Sequence, residues 1–503
     1  MTRSRVAHVL IGFTVWTLTA VAAWLLLFTH HHREMVLGGH DVVLTPTFDR
    51  YAVLRMGPYI PDVRVPTGGR IGVDIEVEKT TATSTESLVE RYALMASQPD
   101  PEIRRVANVL SDMAKTDALR AGVIGLAPLG LWLLVGRDRR RELAHPSWRT
   151  AATAGAAAVV LGVVVWQPWQ PMPEQGEHAD WISLPDAVPS ISVPDELRSV
   201  QIQGGLLTDE TEHLAKSALR VFAESKSYYR SLAEKVATVA DKLRQPAEGD
   251  TVGLLISDRH DNIGMDQVAL AIAKAAKASV VIDAGDDTSS GASWESFSLE
   301  SLDDTFHDFP VRLFVAGNHD HGGFVTDYLE KAGWTHLDGK VTTPFGGVSI
   351  LGVDDPRANG LVDPENTHQD DFLKVTDELS DKICADSAKG DRVDTVIVHD
   401  ATMALPALTR GCTDLVLAGH LHIQVGPDRT VAEDGSIGYR YTNGTTGGAA
   451  YSFALGSSLA HPAEVTLVTW REGHPIGIQP VEIDTKARIT VKPFVPLDFR
   501  PAS

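Results

Sequence analysis

Cysteine is nearly absent from this chain: two residues, Cys384 and Cys412, in 503. Two thiols cannot frame a disulfide-dense scaffold, and their spacing matches no zinc motif. A bond between them is chemically allowed in an oxidising compartment, and two separate buried thiols fit the sequence equally. Positive charge is also short, with 45 Lys and Arg against 66 Asp and Glu, a net charge of −21. An acidic chain exerts no long-range attraction on nucleic-acid phosphates, which argues against nucleic acid as a partner unless a local basic groove exists. Internal repeats and low-complexity tracts are missing. With 43% apolar and 22% charged residues the composition is that of an ordinary globular protein, neither disordered nor collagen-like. The length suggests two to four domains.

The near-zero mean hydropathy of −0.05 conceals an uneven distribution. Val9 to Phe28 are twenty residues without a charge, preceded by Arg3 and Arg5. That length spans a bilayer core of ~30 Å as a helix. A cleaved signal peptide is the alternative, since Ala20-Val-Ala22 has a small-x-small pattern. The apolar run continues through Trp24 to Phe28, however, which favours an uncleaved anchor. Two more runs, Ala121 to Gly136 and Ala151 to Trp166, flank a segment holding Arg137, Arg139, Arg140, Arg141 and Arg149. Basic residues collect on the cytoplasmic side. The pattern therefore predicts a multi-pass protein of the cell membrane with an inside basic loop and an extracytoplasmic C-terminal part. A soluble helical hairpin at 118–166 is the competing reading.

The chain divides accordingly. A transmembrane anchor at 1–29 leads to a small exported α+β module at 30–117. A transmembrane hairpin at 118–166 follows, then a linker and long helix at 167–250, and a final domain at 251–503. Within the module, Thr85 to Ala96 and Pro101 to Lys115 read as helices. His30-His-His32 at its membrane edge offers either a metal chelate or a solvated polar run. The segment 167–198 is rich in Pro, Trp and Ser, and Thr208 to Leu243 reads as one long amphipathic helix or a broken pair.

From Thr251 onward, short apolar runs end abruptly in polar residues. Val252–Ile256 runs into Asp258, Val280–Ile282 into Asp286 and Val311–Val315 into Asn318. Val348–Val353 leads to Asp354, Val396–Val398 to His399, and Leu415–Leu417 to His420. Helical stretches at Asp266–Ala278 and Phe324–Ala332 separate some of them. Buried strands alternating with helices predict an α/β domain whose site lies at the carboxyl ends of the strands. The residues found there are Asp258, His260, Asp286, Asn318, His399, His420 and His422. Carboxylate, carboxamide and imidazole are the donor set of a borderline divalent ion such as Mn²⁺, Fe²⁺ or Zn²⁺. Any one of them alone reads as a cap or a structural histidine; seven in series at strand ends do not.

The order D-x-H, G-D, G-N-H-D, a lone His and G-H-x-H, from Asp258 to His422, resembles the calcineurin-like metallophosphoesterase family, over about Thr251 to Asp484. The resemblance implies a two-sheet sandwich flanked by helices, preceded here by about three transmembrane helices. It further implies two divalent metal ions. Asp258, His260 and His422 would hold one, Asn318, His399 and His420 the other, and Asp286 would bridge them. His319 would protonate the leaving alkoxide, and Asp320 would orient that imidazole or cap a turn. Asp287, Asp354, Asp355, Asp400 and His321 are candidate supporting groups, and Arg357 either meets a substrate phosphate or forms an ion pair. The stretch Asn443-Gly-Thr-Thr-Gly-Gly-Ala looks like part of the domain's closing segment.

These readings predict a membrane-anchored phosphoesterase acting on phosphomonoesters or phosphodiesters by attack of a metal-bound hydroxide. A low-turnover sensor or binding protein built on the same domain is the alternative, with a nuclease of the same family as a third. The partners expected are a phosphoester and the lipid bilayer. The sequence leaves the substrate, the metal pair and the oligomeric state open.

Overall fold

The computed structural model describes residues 2–37, 40–55, 62–80, 100–136, 181–187, 198–203, 223–358, 369–390, 392–449 and 458–500, with positions 189 and 193. Two compact units emerge.

The first unit holds the apolar helix Thr2–Thr29 and a helix running Asp100–Ile124, continued after a turn as Ala127–Leu134. The segments Leu10–Thr29 and Glu102–Leu134 are long and apolar enough to cross a membrane. They pack antiparallel: Trp16 Nε1 donates to Gly122 O (3.0 Å) and Trp24 Nε1 to Ala114 O (3.1 Å). Gly125 permits the close approach, because a Cβ there would lie 2.9 Å from Ala20 Cβ. The second expected run is thus the end of a longer helix that begins at Asp100. Residues 137–150 and the third run, Ala151–Trp166, lie outside the described residues, as does the helix expected over Thr85–Ala96.

Beside these helices is a seven-stranded sheet: β1 (Arg33–Leu37), β2 (His40–Thr47), β3 (Tyr51–Arg55), β4 (Val63–Pro66), β5 (Gly72–Thr80), β6 (Trp181–Ser183) and β7 (Gln201–Gln203). Their order is β1-β2-β5-β3-β4-β7-β6. The expected linker at 167–250 therefore needs correction, since β6 and β7 complete the sheet of the 30–117 module. Arg64 shows why: its guanidinium lies 4.3 Å from both the Tyr51 and Trp181 ring centres, and its Nε donates to Gln201 Oε1 (2.7 Å). Such cation–π stacking rewards pairing across a long gap in sequence. Within the His30–His32 run, His31 Nδ1 meets Asp117 Oδ2 at 2.7 Å and His32 Nδ1 meets Thr45 Oγ1 at 2.9 Å.

The second unit contains the α/β domain. Its first sheet comprises β8 (Asp250–Ile256), β9 (Val280–Asp283), β10 (Val311–Phe314) and β11 (Thr335–His336), which run parallel. A second sheet contains β12 (Ile350–Val353), β13 (Val393–Val398), β14 (Thr413–Ala418), β15 (Val425–Val431) and β16 (Ile437–Thr442). The first sheet closes with antiparallel β17 (Ala463–Arg471), β18 (His474–Ile483), β19 (Ile489–Val491) and β20 (Val495–Pro496). The orders are β11-β10-β9-β8-β17-β18-β19, with β20 on β18, and β12-β13-β14-β16-β15.

Side chains alternate across each strand. On β8, Val252, Leu254 and Ile256 pack against the helices Gly264–Ala275 and Ser296–Phe306, while Leu255 faces the inter-sheet core. That core joins Ile282 and Leu313 of one sheet to Ile397, Leu415, Leu417 and Tyr441 of the other. Trp470 Nε1 donates to Thr395 Oγ1 (3.1 Å), pinning the two sheets together. The helix Gln369–Ala388 covers the outer face of the second sheet, and Cys384 is bonded to Cys412 just ahead of β14. The strand pattern predicts an α/β domain, and the family resemblance implies the two-sheet sandwich seen here. Upstream, the described part of the expected long helix is helical over 223–235 and continues as short 3₁₀ turns.

Candidate metal centre

Every expected ligand lies just past the carboxyl end of a parallel strand. Asp258 and His260 follow β8, Asp286 follows β9 and Asn318 follows β10, all in the first sheet. His399 follows β13, and His420 and His422 follow β14, in the second. The site is therefore assembled across the seam between the sheets.

The turns that aim these side chains are unusual. Asp258, His260, Asp286, His420 and His422 have φ of 53°, 44°, 60°, 74° and 56°. Left-handed backbone costs a non-glycine residue ~1 kcal/mol or more and persists only where neighbours enforce it. They do so here. The Asp258 N–H donates to Gly285 O (2.8 Å) and the His260 N–H to Asp286 O (3.1 Å). The His420 N–H donates to the Asp258 carboxylate at 3.0 and 3.1 Å. Two glycines make room. A Cβ on Gly317 would fall 2.2 Å from Asp286 Oδ1, and one on Gly419 would fall 2.5 Å from Asp258 Oδ2.

Donor atoms converge in two groups that share Asp286. Asp258, His260, Asp286 and His422 form one, and Asp286, His399 and His420 the other, each with candidate atoms within 4.8 Å of one another. His422 Nε2 lies 3.1 Å from His260 Nε2 and 3.2 Å from Asp258 Oδ1. His399 Nε2 lies 3.0 Å from Asp286 Oδ2. The outer nitrogens are committed elsewhere: His399 Nδ1–H donates to Ala284 O (2.7 Å) and His422 Nδ1–H to Ala449 O (3.1 Å). A carbonyl accepts only, so these bonds turn each Nε2 lone pair into the site.

Charge follows the same logic. Burial would lift the Asp286 carboxyl, but His399, His319 and His260 hold it well below the usual range. Asp258 is likewise pushed up by burial and brought below normal by His422 and His399. Burial drives His260 down to about 3, so it stays neutral. The residues fit a divalent ion on another count. Asn318 Oδ1 and His399 Nε2 are buried and accept or donate no hydrogen bond among the described residues. An unsatisfied buried oxygen costs about 1–3 kcal/mol, a cost that coordination would remove.

His319 and Asp320 differ in placement. The His319 N–H donates to Asp286 Oδ1 (2.8 Å), and its ring Nδ1–H to Ser289 O (3.0 Å), leaving Nε2 for proton exchange. Asp320 does not orient that ring, contrary to one expectation. Its Oδ2 accepts from the N–H groups of Asp286 (2.6 Å) and Gly317 (3.1 Å), and its Oδ1 from the Thr288 N–H (3.0 Å) and the Thr288 hydroxyl (2.8 Å). It staples the loop that carries the shared ligand. Burial, then Asp287 and Asp286, raises its carboxyl to about 8.

Residues 254–424 match the sequence model of the Metallophos family, the calcineurin-like phosphoesterases. These residues are a calcineurin-like phosphoesterase domain. Members of this superfamily are hydrolases that act on phosphoesters with divalent metal ions. No curated protein matches the chain. Among solved structures, the chain is similar to a 5'-nucleotidase precursor from Thermus thermophilus, at 15% identity and a TM-score of 0.34, over 47% of this chain and 55% of that one. It is also similar to the sulfate thiohydrolase SoxB of Thermus thermophilus, at 14% identity and a TM-score of 0.31, over 49% of this chain and 57% of that one. An archaeal phosphodiesterase aligns over its whole length and 49% of this chain, at 14% identity and a TM-score of 0.25. The chain thus spans little more than half the length of the first two.

The neighbours left open by the sequence now have places in this phosphoesterase domain. Asp287 accepts from Arg259 Nη1 (2.8 Å). Asp354 accepts from the Ala316 N–H (2.8 Å) and contacts His336 Nε2 (2.9 Å). Arg357 is buried, with Nε on Asp355 (2.9 Å), Nη2 on Asp400 (2.9 Å) and its guanidinium 4.1 Å from the Phe372 ring centre. It forms an interior ion pair.

Two supports escaped sequence reasoning. Arg259, the middle residue of D-x-H, is fully buried and grips Asp266 with two nitrogens at 3.0 and 2.8 Å. The loop Asn443–Gly448 does more than close the domain. Thr445 Oγ1 donates to Asp258 O (2.7 Å), Thr446 N–H to Ser257 O (2.8 Å) and Gly447 N–H to Asp258 O (3.1 Å). The dense run of Thr and Gly there was the available signal.

Proposed function

We propose that this chain is a membrane-anchored, dinuclear-metal-dependent phosphoesterase, hydrolysing phosphomonoesters or phosphodiesters with its catalytic domain outside the cytoplasm. One observation carries the reading: two groups of inward-facing donors share the Asp286 carboxylate, with a hydrogen-bonded histidine, His319, beside them. Asp258, His260 and His422 would hold one ion, Asn318, His399 and His420 the other, and Asp286 both. Such ions neutralise phosphoryl oxygens and acidify water.

The chain's own groups do the rest. Asp286 is kept ionised by the surrounding imidazoles and is fixed through the His319 N–H. The His319 ring is set by the Ser289 carbonyl, so its Nε2 is the atom able to hand a proton to a departing alkoxide. Asp320 keeps the 286–288 turn in place by accepting its N–H groups. Exposed Leu421 and Ile423 border the ligand histidines, so the centre opens to solvent on that side.

The anchoring rests on the apolar helices at Leu10–Thr29 and Glu102–Leu134 and on the arginine-rich segment that follows. The Cys384–Cys412 bond supports an oxidising location for the domain.

The test uses the full chain in detergent, stripped by a chelator and resupplied with Mn²⁺, Fe²⁺ or Zn²⁺, on chromogenic phosphate mono- and diesters. Metal-dependent turnover is expected, abolished by Asp286→Ala. In His319→Ala it should fall ~10²–10⁴-fold with metal binding retained. Metal binding without turnover of either ester class would favour the sensor reading, and a folded chain that binds no metal would refute the proposal. Thiol labelling of cysteines introduced at 137–149 should proceed only from the cytoplasmic side.

A further inference from the structure

The His319 ring stands edge-on to that of His260, with centres 5.1 Å apart, so it lies beside the donor group. Its Nδ1–H donates to Ser289 O (3.0 Å), in the loop that joins Asp286 to the helix Ser296–Phe306. A carbonyl accepts only, so this one contact fixes both the tautomer and the direction of Nε2. The ring is no better placed than the loop.

Ser289 lies in irregular backbone, which keeps a shape only where its buried polar groups find partners. One side chain supplies most of them. Glu295 is fully buried and directly precedes the helix, whose Leu299, Leu302 and Phe306 are set in the core. Its Oε1 accepts from the Ser289 N–H (3.0 Å), and its Oε2 from the Ser290 hydroxyl (2.7 Å) and the Ala292 N–H (2.8 Å). Asp261 Oδ2 shares the Ser289 N–H at 3.2 Å. Burial, then Asp261, pushes the Glu295 carboxyl well above its ordinary range, so it clasps the loop as a neutral group. Gly291 brings the same loop against the chain beyond His319: with φ of 67°, a Cβ there would lie 2.3 Å from His321 O. Asp320 does a different job, holding Thr288 and the Asp286 N–H on the ligand side of the loop.

We infer that Glu295 is a positioning residue for proton transfer: anchored at a core helix, it holds Ser289 O where that oxygen directs the His319 ring. The inference rests on the phosphoesterase reading above and adds to it a control of the leaving-group step. The hydrogen bonds of Glu295 go to the loop and to Asp261, so its removal disturbs the proton donor and spares the metal ligands.

The experiment uses the full, metal-loaded chain and two esters of the class the parent hydrolyses. One carries an ethyl group, whose alkoxide needs a proton to leave; the other carries p-nitrophenyl, whose phenoxide leaves without one. In Glu295→Ala, kcat on the ethyl ester should fall about 100-fold, the cost of an ångström-scale misplacement. The fall on the p-nitrophenyl ester should be smaller by about tenfold or more, and the same split should appear in His319→Ala. Combining the two substitutions should cost no more than His319→Ala alone. Glu295→Gln keeps one accepting oxygen and should show the split at lower amplitude, about three- to tenfold on the ethyl ester, which serves if Glu295→Ala fails to fold. Metal affinity should stay within about threefold of the parent, against the ~10–100-fold loss that follows removal of a ligand's own support. Equal falls on both esters, falls that multiply with those of His319→Ala, or undiminished ethyl-ester turnover in the Glu295 variants would overturn the inference. Failure of the parent reading looks different, because the parent then turns over neither ester. The ring itself still decides, through ¹⁵N resonances of the histidine-labelled, metal-free chain at about pH 9. His319, assigned by its loss in His319→Ala, should carry its proton on Nδ1 in the parent and be a mixture of tautomers in Glu295→Ala. A tautomer unchanged by that substitution would overturn the inference on its own.

Discussion

Arg259→Met probes the support beneath the metal centre. Arg259 has a side chain 1% exposed, two nitrogens on Asp266 at 3.0 and 2.8 Å, a third contact to Asp287 at 2.8 Å, and Nη2 on Ser298 O at 3.2 Å. Methionine fills part of the volume but leaves two buried carboxylates without their cation. Breaking a buried ion pair by removing one partner costs ~3–5 kcal/mol. A domain of this kind is stable by only ~5–15 kcal/mol, so about a fifth or more of its stability is at stake. At ~2–4 °C per kcal/mol, the metal-free full chain should lose about 10 °C in the midpoint of the domain's thermal transition. Adding Asp266→Leu should restore part of that loss, because it removes one of the stranded charges. The guanidinium also joins the turn bearing Asp258 and His260 to the turn bearing Asp286, so metal affinity should weaken by ~10–100-fold, as it does when ligand supports are removed. A midpoint within ~3 °C of the parent, with unchanged metal affinity, would refute the reasoning: Arg259 would then merely fill space.

Three further outcomes are expected. Gly317→Ala places a Cβ 2.2 Å from Asp286 Oδ1 and so displaces the shared ligand; titration with Mn²⁺ or Zn²⁺ should show loss of tight binding in a chain that keeps its circular dichroism. Replacing Cys384 and Cys412 together by serine opens a link between positions 28 apart, worth ~3–4 kcal/mol in the chain-entropy account, and the domain should melt about 10 °C lower than the oxidised parent. His336 is held above its ordinary range first by its hydrogen bond to Asp354, against the pull of burial, with Glu330 adding to it. A raised folded-state value gives stability that is full below the unfolded value of ~6.5 and lost as pH rises through the folded one. His336→Ala should therefore lower the melting point at about pH 5.5 more than at about pH 9, and an equal effect at both would contradict that linkage.

The strand ends were legible because apolar runs such as Val252–Ile256 and Val396–Val398 stop sharply at residues with metal-binding chemistry. The sequence does not reveal the left-handed turns at Asp258, His260, Asp286, His420 and His422, since φ follows from hydrogen bonds made by distant residues such as Gly285 and Thr445. Arg259 was illegible for a different reason. An arginine between two ligands reads as a surface residue until Asp266, in the first turn of the next helix, and Asp287, on the next strand end, are seen around it. β6 and β7 were missed because three residues each cannot display an alternating pattern, and the strand that β7 pairs with, β4, lies more than a hundred residues upstream. Asp320 shows the limit for roles: a carboxylate beside a histidine in sequence can orient the ring or hold the loop, and here four backbone N–H groups claim it.

Asp258, His260, Asp286 and Asn318 come from one sheet, and His399, His420 and His422 from the other. Neither sheet alone offers all the residues of either donor group. During folding, then, the chain has no high-affinity site until the inter-sheet core around Leu255, Ile397, Leu417 and Trp470 has closed. Metal capture would then report on the docking of the two sheets. A species with only β8–β11 formed should pass through a metal-rich compartment without acquiring an ion, and a chain that traps one should already have its two sheets docked.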